Sequence, residues 1–156
     1  MQGTFVTFGI GGALFALPVA PVVEILEAQD AAPLPRSPDY LLGLIDRRGV
    51  SVPVVDFRLL LGQPARDDCP DTRLIVLALS HEGEPRTVGL RVDHVTEVTE
   101  LDRTDKGPLR EADLVHWNER MVAGIGRRHE SFVTVIDVDG LFAEDLAALV
   151  RARAAA

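Results

Sequence analysis

Two pairs of adjacent arginines, Arg47-Arg48 and Arg127-Arg128, are the residues of this chain best suited to chemistry. A guanidinium presents its donors in a fixed fork that matches carboxylates and phosphates, so such pairs suit an anion clamp or a contact with an acidic partner. The first pair stands in GLIDRRGVSVPVVDFR, where Gly49 follows it and a valine run begins. Neighbouring side chains on a strand point to opposite faces. Arg47 and Arg48 are therefore expected not to serve one site equally: one meets solvent or Asp46, the other a groove or seam. Gly49 then reads as a bulge or a close backbone approach. An exposed strand edge kept soluble by charge explains the same residues more plainly.

The remaining catalytic inventory is thin. The histidines His81, His94, His116 and His129 stand apart, without the short spacings of a metal site, and no metal or cofactor is expected. No G-x-S-x-G, C-x-x-C or H-E-x-x-H occurs, and GIGGAL fits neither the P-loop nor the dinucleotide fingerprint. Cys69, alone in a polar run, cannot close an internal disulfide and fits a reducing compartment. Among the carboxylates, Asp56 and Asp137 end equivalent strands and read as helix caps. Glu24 and Glu97 recur in a V-x-E turn, where a pin to a backbone N–H or an arginine is favoured over half of a surface site. No enzymatic activity is expected.

The elements that position these residues are short and valine-rich. Apolar residues make up 47% of the 156 but aromatics only 5%, so the core must be built mostly from Val, Leu, Ile and Ala. A formal charge of −8 repels phosphate backbones and disfavours nucleic acid as a partner. No apolar run approaches the ~20 residues that span a bilayer. The opening MQGTFVTFGIGGALFALPVA lacks a basic start and is broken by Gly11-Gly12, so it reads as a hairpin and the protein as cytoplasmic. Residues 73–79 and 87–92 flank HEGEP as a second hairpin.

The two halves also repeat. FALPVAPVVEILE lies over VGLRVDHVTEVTE, and GLIDRRGVSVPVVDFRLLL over GIGRRHESFVTVIDVDGLF, in the same order. A duplicated unit of hairpin, V-x-E turn, arginine strand and short apolar helix follows, too small to close a core alone. Pro53 within VSVPVV predicts an edge strand or a bulge. Residues 101–118 read as a loop. Phe142, Leu146, Leu149 and Val150 share one face of a C-terminal helix.

Taken in order, P-x-Y-(x)2-G-(x)4-R-G-V-x-V-P-V-V-D (Pro38 to Asp56), V-D-x-V-x-E-V (Val92 to Val98) and the closing GIGRRHESFVTVIDVDGLF resemble the CheW family of bacterial chemotaxis coupling proteins, from about Thr4 to Leu149. The resemblance implies a mainly β fold of two intertwined five-stranded barrels, SH3-like or OB-like, with residues 1–156 forming a single CheW-like domain of two interleaved subdomains. It implies a non-catalytic, cytoplasmic scaffold, monomeric on its own and recruited to membrane receptor arrays. Its partners would be the cytoplasmic tip of a chemoreceptor and the regulatory domain of a chemotaxis-type histidine kinase. Val22, Glu24, Gly43 and Arg48 match the family's receptor-groove positions, and Gly49, Asp56, Asp93 and Glu97 match structural positions of its motifs. The family commonly has Asn-Leu before Arg-Gly, where this chain has Asp46-Arg47. Pro21 also precedes Val22, where a polar or charged residue is usual. Three other readings stand beside the coupling scaffold: a barrel that binds a small anionic ligand through the two arginine pairs, a scaffold of a pilus or other non-flagellar pathway, and a competitor of a coupling paralogue.

Overall fold

The computed structural model describes residues 3–81, 83–103 and 121–142. Strand β1 (Phe5–Ile10) turns through Gly11-Gly12 into β2 (Ala13–Pro18), and the two pair antiparallel from Phe5↔Pro18 to Ile10↔Ala13. Gly11 supplies the positive φ of +57° that a tight hairpin requires. The second hairpin, β6 (Arg73–His81) and β7 (Glu84–Val92), pairs from Arg73↔Val92 to His81↔Glu84. Its strands run on into HEGEP, because Gly83 at φ +81° lets the turn tighten.

Between the hairpins lie β3 (Val22–Glu27), β4 (Leu41–Arg47), β5 (Val50–Asp56) and the one-turn helix α1 (Phe57–Leu60). After the second hairpin come β8 (His94–Thr99), β9 (Asp102–Arg103), β10 (Val122–Arg128), β11 (Ser131–Ile136) and α2 (Val138–Phe142). The strands form two sheets, ordered β8-β1-β2-β11-β10-β9 and β3-β6-β7-β5-β4. Each half of the chain has therefore given its hairpin to the other half's sheet. Both sheets close on themselves through the continuation of a strand at one edge. Past β3 the chain reaches Ala32, which exchanges both backbone hydrogen bonds with Leu44 of β4 at 2.8 and 2.9 Å. Past β8 it reaches β9, which pairs with β10. The result is the expected pair of interleaved small barrels, the two-residue β9 being an addition to five main strands.

The duplication extends to the register. Val54 faces Gly89 across the parallel β5–β7 contact, and its counterpart Val135 faces Ala16 across β11–β2. Register shifts recur as well: β3 slips between Val22 and Glu24, and β8 slips opposite Thr7/Phe8 between Glu97 and Val95. Both V-x-E segments thus open a strand with a bulge at the middle residue, where a turn was expected. A bulge re-aims the side chain beside it, and here that side chain is the glutamate.

Three apolar clusters follow from this arrangement. Phe5, Ala16, Leu101, Val133 and Val135 fill one barrel, and Ile45, Val52, Val54 and Leu74 fill the other. The largest cluster joins both sheets, with Phe8, Phe15 and Leu17 on one side and Ile75, Leu77, Leu90 and Phe57 on the other. Phe8, Phe15 and Phe57 meet ring to ring, with centroids 5.1–5.7 Å apart. A chain so poor in aromatics has placed three of them at the junction of its barrels.

Asp56 caps α1 by accepting the Arg58 N–H at 3.0 Å. Gly62 at φ +78° ends the turn, with Gly62 N–H to Leu59 O and Gln63 N–H to Arg58 O, a Schellman closure. Asp137 stands in the same place before α2 and accepts the Gly140 N–H at 3.1 Å. Pro53 corrects an expectation. β5 is flanked by β4 and β7, so it is no edge strand. Pairing with β7 starts only at Val54, and the opposite neighbour Leu44 spends its own hydrogen bonds on Ala32. The missing proline N–H therefore falls where no ladder bond is due. The bulge lies on the partner strand, between Leu41 and Gly43. The expected loop from residue 104 onward, His116, and the helical face carrying Leu146, Leu149 and Val150 lie outside the described residues. Among the described residues, no helix is long and apolar enough to cross a membrane.

Candidate partner-binding site

The first arginine pair is built by a hairpin. β4 ends at Arg47 and β5 starts at Val50, so Arg48-Gly49 form a two-residue turn. Both take positive φ, +54° and +82°, as a type I′ turn requires. Two expectations need correcting. Arg48 is a turn residue, so strand alternation does not separate it from Arg47. Gly49 is no point of close approach either, because a Cβ there would meet nothing within 4 Å.

Both arginines turn to one carboxylate. Arg47 Nε donates to Glu24 Oε2 at 2.9 Å, and Arg47 Nη2 donates to the same oxygen. Arg48 Nη2 approaches that oxygen only to 3.7 Å, and its side chain is 79% exposed. Glu24 reaches the arginines because the bulge at Val23 aims it across the seam between β3 and β4. The other barrel repeats the bond: Arg128 Nε donates to Glu97 Oε1 at 2.8 Å. Arg47 and Arg128, which occupy matching places in the repeat, are thus equivalent latches, whereas the turn position of Arg48 is taken there by His129 at φ +53°. Arg127 lies over the Phe132 ring at 4.5 Å. The two arginine pairs do not converge on one anion pocket, which removes the geometric motive for the ligand-binding alternative.

Arg128 holds Glu97 below the usual carboxylate range, chiefly through their hydrogen bond. A lowered folded-state pKa gives stability that is present above the unfolded value of 4.5 and lost as pH falls through the folded value. The gap in stability between wild type and Glu97→Gln, followed by urea titration, should be constant above pH 4.5 and shrink below it. The gap should be small throughout, as for any exposed pair. Asp56 behaves oppositely, since burial pushes its carboxyl above its ordinary value of 3.8 despite the Arg58 N–H and nearby Arg91. Its contribution weakens as pH rises from 3.8 toward the folded value.

The other residues singled out in the sequence fall elsewhere. Gly43 is buried at φ +141°, where a Cβ would stand 2.1 Å from Ala32 O, so backbone covers it on that side. Val22 opens β3 half-buried against the central cluster. Asp93 is buried beneath the first hairpin, accepting from Gly11 N–H at 2.8 Å and Arg58 Nη1 at 2.7 Å. Arg91, with Nε and Nη2 donating to Asp68 Oδ1 at 2.8 and 2.6 Å, holds the adjoining polar segment down.

The sequence reading expected a groove between the barrels but did not name the residues that line the one found next to Val22. An open, mostly apolar groove of about 620 Å³ lies between the two sheets, lined by Pro18, Pro21, Ala78, Leu79, Ala123 and Val138 among others. Glu24, which anchors the arginine turn, lies three residues beyond Pro21 of the groove lining, or about 10 Å at the rise of a strand. The two prolines bracketing Val19-Ala20 were the available signal, since they stiffen a turn that leaves Val19 exposed. Among the described residues no cluster of His, Cys, Asp or Glu could hold a metal ion.

Interleaved barrels with an apolar groove between them and a cationic turn define a binding module. A family model, the CheW-like domain, matches residues 4–146, and the chain belongs to that family. The chain is 28% identical over 141 residues to the chemotaxis protein CheW of Helicobacter pylori, covering 90% of this chain and 82% of that one. It is 30% identical over 138 residues to the chemotaxis protein CheW of Rhizobium meliloti, covering 88% and 85%. The crystal structure of the scaffolding protein TtCheW from Thermoanaerobacter tengcongensis matches with a TM-score of 0.77 at 26% identity, over 91% of this chain and 88% of that one.

Proposed function

We propose that this protein is a non-catalytic scaffold of bacterial chemotaxis-type signalling, coupling the cytoplasmic tip of a chemoreceptor to the regulatory domain of a histidine kinase. It works in the cytoplasm, at membrane receptor arrays. The observation that carries this reading is the apolar groove between the barrels, together with the exposed Arg48 on the turn that Glu24 of β3 anchors. A receptor tip is helical, and an apolar groove takes the apolar stripe of a helix. Arg48 then fixes register through a carboxylate or the carbonyl end of a helix. Val22, next to Pro21 of the groove lining, and Glu24, the anchor of the arginines, belong to the same reading, as does Gly43 on the strand that leads to the turn.

The test is co-precipitation of the protein with a receptor tip and a kinase regulatory domain from the same genome. Arg48→Ala should weaken the receptor interaction by about 1–3 kcal/mol and leave kinase binding intact. Arg48→Gly sharpens the experiment. Glycine relieves the positive φ and should raise fold stability by roughly 0.5–1 kcal/mol while losing the guanidinium. A variant more stable in urea yet weaker toward the receptor tip would separate folding from recognition. Equal receptor affinity in wild type and both variants would remove Arg48 from the site, and binding to neither partner would remove the scaffold reading.

A further inference from the structure

The two barrels carry the same latch but not the same charge. In one, Glu97 meets a single arginine among the described residues, Arg128, and the turn that follows carries His129. In the other, Glu24 meets two, and Arg47 takes both hydrogen bonds at Oε2 while Arg48 stays at 3.7 Å with its side chain 79% exposed. Asp46 precedes Arg47 on the strand and so points to the opposite face. The surplus guanidinium of the turn is therefore Arg48, which stands in the looser ion pair with Glu24 while Arg47 makes the hydrogen bonds.

We infer that Arg47 is a positioning residue that sets the charge this surface shows its partner: by holding Glu24 it releases Arg48, so the partner must place a carboxylate opposite Arg48. Rather than touching the partner, Arg47 decides whether Arg48 is spent inside the protein or outside it. With a leucine at position 47, Glu24 has one cation left in reach and captures it, since the turn already holds Arg48 within 4 Å. The surface then becomes nearly neutral. The inference rests on the scaffold reading for the identity of the partner, whereas the competition between the two arginines is internal to the chain.

Two readouts on the full-length protein test it. The first needs no partner: arginine-selective labelling with phenylglyoxal, located by mass spectrometry. Arg48 should label readily in wild type, several-fold more slowly in Arg47→Leu, and readily again in Arg47→Leu/Glu24→Gln. The second is affinity for a purified receptor-tip fragment. Arg47→Leu should weaken it about five- to tenfold, and the double variant should recover most of that loss. A role of Arg47 in folding alone would not be rescued by Glu24→Gln. Unchanged labelling of Arg48 in Arg47→Leu overturns the inference, as does a double variant that binds as weakly as Arg47→Leu. If no variant, wild type included, binds any receptor tip but the labelling pattern holds, the scaffold reading falls and the internal competition stands.

Discussion

Gly43→Ala should destabilise the protein by about 3–5 kcal/mol, although it adds one methyl group. Two causes act together. The residue holds φ at +141°, a region closed to L side chains at a cost of about 1–2 kcal/mol. The added Cβ would also stand 2.1 Å from Ala32 O and 2.5 Å from its carbonyl carbon, so backbone has to move. What moves is the closure of the barrel, because Ala32 and Leu44 exchange two hydrogen bonds beside that contact. Losing both costs about 1 kcal/mol each, and more where the groups stay buried. Gly49→Ala is the control, since φ is also positive there but nothing lies within 4 Å of the new Cβ. It should cost about 1 kcal/mol. Urea unfolding of the two variants measures the difference. Equal losses would mean that the barrel opens at Ala32 without resistance and that closure contributes little.

Phe57→Ala carries the second large effect, about 3–5 kcal/mol. Phe57 is fully buried and opens α1 directly after β5, yet its ring meets Phe8 and Phe15 of the other sheet at 5.5 and 5.1 Å. Edge-to-face pairs of this kind add about 0.5–1.5 kcal/mol beyond area burial. Removing the ring leaves a cavity at the joint between the barrels. The transition should therefore broaden as well as shift, with tryptophan-independent probes of the two barrels ceasing to coincide in denaturant titration. A sharp transition shifted by less than 1 kcal/mol would show that the aliphatic part of the joint suffices.

Much of this architecture was readable in the sequence because it is written in short-range chemistry. Gly11-Gly12 fixes a hairpin, Asp56 and Asp137 cap equivalent helices, and the halves align residue by residue into the register of Val54 and Val135. The exchange of hairpins was not readable from local signals. FVTFGI carries the same alternation whether it pairs with β3 or with β8, and only the packing of the whole chain chooses. The resemblance to a known family supplied that choice. The close approach expected at Gly49 falls at Gly43 for a related reason: both occupy positive φ, but crowding at Gly43 comes from Ala32, in a loop whose path no local pattern reveals. Arg47 was placed by strand alternation alone, against solvent, Asp46 or a seam. Its partner Glu24 lies 23 residues away, and a bulge at Val23, marked by nothing more than V-x-E, brings the two together.

The exchanged hairpins also dictate an order of assembly. The first hairpin to leave the ribosome, residues 5–18, finds its flanking strands only in β8 and β11, so neither barrel can be finished from its own half of the chain. A nascent chain ending after β5 has made a hairpin and a sheet that do not belong together, with the apolar faces of both still exposed. Cutting the gene between the halves would not release two small stable domains. Long sequence separation between partner strands slows folding, and the waiting hairpin is the segment most open to pairing with the wrong molecule. A second copy of the same chain offers it the same strands.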